Sequence, residues 1–89
     1  MTDRDTRLKR LKIRSWRRGT KEMDMILGPF ADQSMERLDL VQLDVYEAML
    51  TENDQDLYQW FSRQAPEPAR YTAILSVIRS LHGLSGHTG

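Results

Sequence analysis

The sequence has no cysteine, and that absence excludes a good deal. It removes a disulfide framework, a thiolate zinc site, a thiol nucleophile and an iron–sulfur cluster together. Long apolar runs are also missing. The longest near-apolar run, Ala73-Ile74-Leu75-Ser76-Val77-Ile78, is broken by Ser76 and falls far short of the roughly 20 apolar residues a membrane span requires. No apolar segment of signal-peptide type stands at the N-terminus. The Arg-rich start has the flavour of a transit peptide, but Asp3 and Asp5 oppose that reading. An intracellular soluble protein is the expectation. Histidine is nearly absent: His82 and His87 stand five apart near the C-terminus, with no neighbouring acid to fix a tautomer. No Gly-rich phosphate loop follows a strand, and no nucleophile lies beside a base in a recognisable pattern. An enzyme with its own active site is therefore disfavoured.

What remains is 89 residues, 39% apolar and 29% charged. That is one domain with a small core, which buries about 60–65% of the surface its unfolded chain exposes. The formal net charge of zero conceals a division. Residues 1–21 hold nine Lys or Arg against Asp3 and Asp5, a net of +7, and the rest of the chain carries −7. Either the basic end steers toward something acidic, or it neutralises the acidic body within the fold.

Apolar spacing is helical throughout, with no sustained alternation of period two. A basic first helix is expected from Thr6 to Arg18, with Leu8, Leu11, Ser15 and Trp16 along one stripe. Gly19 would stop it as a left-handed residue. Gly19 would also cap a second helix carrying Met23, Ile26, Leu27 and Phe30, which puts Glu22 at its third position. Pro29 should kink or end that helix, leaving a polar linker from Ala31 to Leu38. Asp39 and Gln42 have capping-box spacing ahead of a third helix with Leu43, Tyr46, Met49 and Leu50 inward. Asn53-Asp54 punctuates before a short helix burying Leu57, Trp60 and Phe61. Pro66-Glu67-Pro68 makes a rigid loop. A last helix runs from Ala69 to His82, with Tyr71, Ile74, Leu75, Ile78 and Leu81 on its face. The expected fold is an all-α, compact five-helix bundle over residues 1–82, with a flexible tail over 83–89. Asp54-Gln55-Asp56 lacks the later ligands of a calcium loop, so these acids read as helix-start residues, and no metal site is expected.

The chemically unusual stretch is Arg14-Ser15-Trp16-Arg17-Arg18-Gly19-Thr20-Lys21-Glu22-Met23-Asp24. A glycine corner lets a partner approach closely. Arg17 and Arg18 offer planar, permanently charged forks on one side, and Glu22 offers an acceptor on the other. A purely structural reading also stands, with Glu22 as a first-turn acid and Arg18 pairing with it across the corner.

The run Arg18-Gly19-Thr20-Lys21-Glu22 resembles the RGxxE motif of the SdhE family of succinate dehydrogenase assembly factors. The resemblance extends over residues 8–82. It includes Pro29-Phe30 after the motif, the acidic turn Asp54-Gln55-Asp56 before the Trp60-bearing helix, and the length. The resemblance implies a small helical chaperone that binds the flavoprotein subunit of succinate dehydrogenase, and of fumarate reductase. It would promote covalent attachment of FAD there. The resemblance further implies that Arg18, Gly19 and Glu22 form the partner-binding motif, flanked by Arg17 and Asp24. FAD would then be the cofactor of the client, with none held stably by this chain, and the free protein would be a monomer. Two readings from other classes stay open: a nucleic-acid binder using the basic end, and an antitoxin-like module for another acidic protein.

Overall fold

The computed structural model describes residues 3–82. The expectations for the tail from Gly83 and for both histidine side chains lie outside what it describes. Five α-helices follow in order: α1 Asp3–Trp16, α2 Lys21–Gln33, α3 Leu40–Met49, α4 Asp54–Phe61 and α5 Thr72–His82. Single 3₁₀ turns at Met35–Arg37 and Ala69–Tyr71 precede α3 and α5. The described residues contain no strand. A Cα radius of gyration of 12.5 Å is close to that of a compact chain of this length.

Local sequence explains most boundaries. Asp39 accepts from the Gln42 amide at 2.8 Å, and the Gln42 side chain accepts from the Asp39 amide at 3.0 Å. The capping box at the head of α3 is therefore complete. Asn53 caps α4 by accepting from the Gln55 amide at 2.7 Å. The expected inward residues of α3 and α4 are all buried, and Phe30 and Tyr46 meet with ring centroids 5.4 Å apart.

Ser15 is fully buried on α1. Its hydroxyl donates to the Leu11 carbonyl at 2.8 Å, so the Tyr46 hydroxyl, 2.6 Å away, must be the donor to Ser15 Oγ. Burial pushes the Tyr46 phenol up to about 12.

Three expectations need correction. First, α1 ends at Trp16 rather than Arg18. Second, α2 runs through Pro29 to Gln33. The carbonyl that Pro29 leaves without its helical donor belongs to the exposed Met25, while Phe30 and Ala31 beyond it are buried. Burial on that side outweighs the one missing bond. Third, the supposed polar linker holds three core residues, Ala31, Met35 and Leu38. A buried charge that the sequence does not announce is Arg79 on α5, 4% exposed.

Where α1 crosses α2, a Cβ on Gly28 would overlap the Trp16 indole. Glycine is required there for space. The indole nitrogen donates to Asp32 at 3.2 Å.

The charge division is largely resolved inside the fold. Arg4 donates to the carbonyls of Glu36 and Leu38. Arg7 pairs with Asp44 at 2.7 Å and with Glu47 at 2.8 Å. Lys12 lies 3.9 Å from Asp32, and Arg14 3.7 Å from Glu47. The basic helix thus lies against the acidic body, each exposed pair contributing up to about 1 kcal/mol.

Candidate functional site

The corner between α1 and α2 spans residues 17–20, and it is fastened from a distance. Asp54, the first residue of α4, sits under it. Its Oδ1 accepts from Arg18 Nε at 2.8 Å. Its Oδ2 accepts from the amides of Gly19 and of Thr20, the latter at 3.1 Å. The Arg18 guanidinium also donates through Nη1 to the Leu50 carbonyl at 2.6 Å and through Nη2 to the Glu52 carbonyl at 2.9 Å. Both carbonyls lie where α3 ends, so the arginine satisfies acceptors that a helix terminus leaves open. The Arg18 and Asp54 side chains are only 11% and 13% exposed. On the other side, the Arg18 amide donates to Asp24 Oδ1 at 2.6 Å.

This geometry revises three local readings. Gly19 does not have a left-handed φ. It is needed for space, because a Cβ would lie 2.8 Å from Asp54 Oδ2. Thr20, not Gly19, caps α2, accepting from the Met23 amide at 3.3 Å. Glu22 is consequently the second residue of the helix, and Arg18 pairs with Asp54 rather than with it.

The five residues singled out from sequence divide into two groups. Arg18, Gly19 and Asp24 are turned into the frame. Arg17 and Glu22 are exposed, and their side chains make no hydrogen bond or ion pair among the described residues.

Sequence reasoning missed Asp54 as part of the corner. It stands 36 residues from Arg18, and its position on a first helical turn gave a sufficient local explanation. The acidic turn that enters the family resemblance was the only signal available.

Beside the corner lies a cleft of about 340 Å³. Thr20 and Glu22 form one wall, and Asp54, Gln55, Tyr58 and Gln59 of α4 form the other. Gln64 closes the end. It is brought there by the turn after α4, where Arg63 takes a left-handed φ of 62° and the Gln64 amide returns to the Gln59 carbonyl at 2.8 Å. No Lys, Arg or His lines this cleft. Among the described residues, no group of His, Asp or Glu is placed to hold a metal ion, and no helix is long and apolar enough to cross a membrane.

Comparison with known proteins gives this geometry a family. The model of a family described as flavinator of succinate dehydrogenase matches residues 9–82. A mitochondrial succinate dehydrogenase assembly factor 2 from Mycosarcoma maydis is 34% identical over 96% of this chain and 36% of its own length. The FAD assembly factor SdhE of Haemophilus ducreyi is 34% identical over 82% of this chain and 92% of its own. That of Pseudomonas savastanoi pv. phaseolicola is 41% identical over 68% and 71%. The chain thus spans about a third of the Mycosarcoma maydis relative and most of the Haemophilus ducreyi one. The matched stretch takes in the corner, the acid beneath it and the cleft beside it, and the chain belongs to the flavinator of succinate dehydrogenase family.

Proposed function

We propose that this chain is an assembly chaperone that docks on the flavoprotein subunit of succinate dehydrogenase, and on that of fumarate reductase, and promotes covalent attachment of FAD. The names of its relatives supply succinate dehydrogenase as the client. The observation that carries the reading to particular residues is the clamped corner: three donors of Arg18 and two backbone amides are fixed on internal acceptors, leaving Arg17 and Glu22 outward on a rigid tip. Such a tip can enter an interface without first ordering itself, which lowers the cost of docking.

The partner-binding motif is Arg18, Gly19 and Glu22, with Arg17 and Asp24 beside it. Within it Arg18, Gly19 and Asp24 set the shape, and Arg17 and Glu22 make contact. The mechanism is positional. The chaperone holds the client so that its acceptor side chain and the flavin meet in reacting geometry, and the bond-making groups are the client's. FAD is cargo of the client. The carboxylate-lined cleft supports this, since it would repel a pyrophosphate. The free protein is a monomer, working in the bacterial cytoplasm where the subunit is made. Because most of the basic helix is paired with the acidic body, the nucleic-acid reading loses its main support.

The test is co-expression with the flavoprotein subunit, with covalent flavin read by in-gel fluorescence. Glu22→Ala should cut the signal severely while lowering stability by no more than about 1 kcal/mol, as befits an exposed first-turn acid. Full flavinylation by the variant would overturn the assignment.

A further inference from the structure

The cleft beside the corner is where this chain leaves hydrogen-bonding capacity unused. Asp54 is fully engaged by Arg18, Gly19 and Thr20. The Glu22 carboxylate, the Gln55, Gln59 and Gln64 amides and the Tyr58 hydroxyl are different: none makes a side-chain hydrogen bond or ion pair among the described residues.

The chemistry of an occupant follows from what the walls offer. Both charged groups in the lining are carboxylates. Two helix starts meet there, and part of the backbone donors around them is already taken: Asp54 accepts from the amides of Gly19 and Thr20, Thr20 from that of Met23, and Asn53 from that of Gln55. An anion would face the carboxylates of Glu22 and Asp54 with no cationic side chain in the lining. An apolar side chain would strip water from five polar groups and return no hydrogen bond. A guanidinium supplies five N–H donors in one plane. Glu22 would answer its charge, the glutamine and tyrosine oxygens would accept from it, and the Tyr58 ring, on a residue 40% exposed, offers a face for stacking. A volume of about 340 Å³ is at the low end of ligand sites, suited to one long side chain with its adjoining backbone.

We propose that this cleft receives an arginine side chain on an extended segment of the flavoprotein partner, bound by Glu22 together with Gln55, Tyr58, Gln59 and Gln64. The proposal rests on the docking function above. It makes Glu22 the acceptor of a client cation rather than a group that acts on the flavin.

The sign of the charge is the test. Binding of the whole chain to the purified flavoprotein subunit is measured by titration calorimetry for wild type, Gln59→Lys, Gln59→Glu and Glu22→Gln. Gln59 is exposed on α4, and thermal melts confirm that each variant folds. Gln55→Lys and Gln55→Glu repeat the comparison at a second exposed position. Lys at either position, and Gln at 22, should weaken binding about tenfold or more. Glu at either position should bind at least as tightly as wild type. The Lys–Glu difference should shrink in about 0.5 M salt. If Glu weakens binding and Lys does not, the occupant is anionic and the proposal is wrong. It is equally wrong if both weaken binding alike, or if neither has any effect. Failure of the wild-type chain to bind the subunit would instead remove the docking function itself, before any variant is compared.

Discussion

Among the described residues, the side chains of Arg18 and Arg79 are both largely withdrawn from solvent, and they are used differently. Arg18 has all three of its side-chain nitrogens on acceptors, two carbonyls from the end of α3 and the Asp54 carboxylate. Arg79 donates from one nitrogen to the Trp60 carbonyl near the end of α4 and to Glu67. Its Nε is buried without a partner. Each satisfies a carbonyl near a helix end and pairs with a carboxylate from the following connection or helix. The first, however, fixes the corner that carries the motif, while the second fixes the Pro66-Glu67-Pro68 loop that follows α4. The lesson is that similar local chemistry can serve a site in one place and the fold alone in another. What distinguishes them is the neighbour that each one holds.

The largest expected effect separates the two directly. Arg18→Ala leaves the nearly buried Asp54 without its countercharge and two carbonyls without donors. Stability should fall by about 3 kcal/mol or more, a large share of what a chain this size possesses. Covalent flavin should be lost even at a temperature where the variant is still folded. Arg79→Met should cost less, about 2 kcal/mol, because Glu67 is 19% exposed and can rehydrate and the unpaired Nε disappears. Flavinylation by folded Arg79→Met should match wild type. Denaturant melts with parallel flavin fluorescence check both, and equal flavin losses would erase the distinction.

This contrast was only partly legible in the sequence. Helix identity was readable because caps and apolar stripes are local: Asp39 with Gln42, or Leu43 with Tyr46 and Leu50, lie within a few residues of each other. The second helix was misjudged at Pro29, because a local rule about a missing N–H competes with burial of Phe30 and Ala31, which only the tertiary structure supplies. Ala31, Met35 and Leu38 looked like a polar linker because their neighbours are polar. Arg18, Gly19 and Glu22 stand out in the sequence, but which of them turn into the frame does not. Whether Arg18 points out or in depends on Asp54, far along the chain, and no periodicity reports that. Arg79 was invisible for the same reason, since its partners Trp60 and Glu67 lie 19 and 12 residues away.

A smaller effect sharpens the account of the corner. Gly19→Ala places a methyl group 2.8 Å from Asp54 Oδ2. Because φ at Gly19 is not left-handed, the cost is steric, about 1–2 kcal/mol. Flavinylation should drop more than this loss of stability explains, since the Asp54 clamp must shift. The double variant Gly19→Ala with Asp54→Ser, measured by denaturant melts, should recover part of the loss of Gly19→Ala measured against Asp54→Ser alone, as expected for residues in contact. Strict additivity would mean that the clash is relieved elsewhere.

The smallest effect concerns the path that joins the two arginines. Glu52 gives its carbonyl to Arg18 and accepts through Oε2 from the Tyr71 hydroxyl at 2.7 Å and from Arg70 at 2.9 Å. The Tyr71 ring lies 5.7 Å from that of Trp60, whose carbonyl receives Arg79. The Tyr71 hydrogen bond, and then Arg70, hold the Glu52 carboxyl below its usual 4.5. A depressed carboxyl contributes stability that is fully present above about pH 4.5 and is lost as pH falls through the lower, folded value. Burial, and then the bond to Glu52, push the Tyr71 phenol above 10. A raised phenol contributes stability that is present below about pH 10 and is lost as pH rises through the folded value. Tyr71→Phe removes the phenol's linkage and the larger share of the carboxyl's, leaving that of Arg70, while keeping the ring against Trp60. The stability gap between wild type and Tyr71→Phe should therefore be widest between about pH 4.5 and 10 and narrow at both ends. Chemical denaturation across that range checks it. A gap independent of pH would mean that the Tyr71–Glu52 bond contributes only through packing, and that the two arginine sites are joined by apolar contact alone.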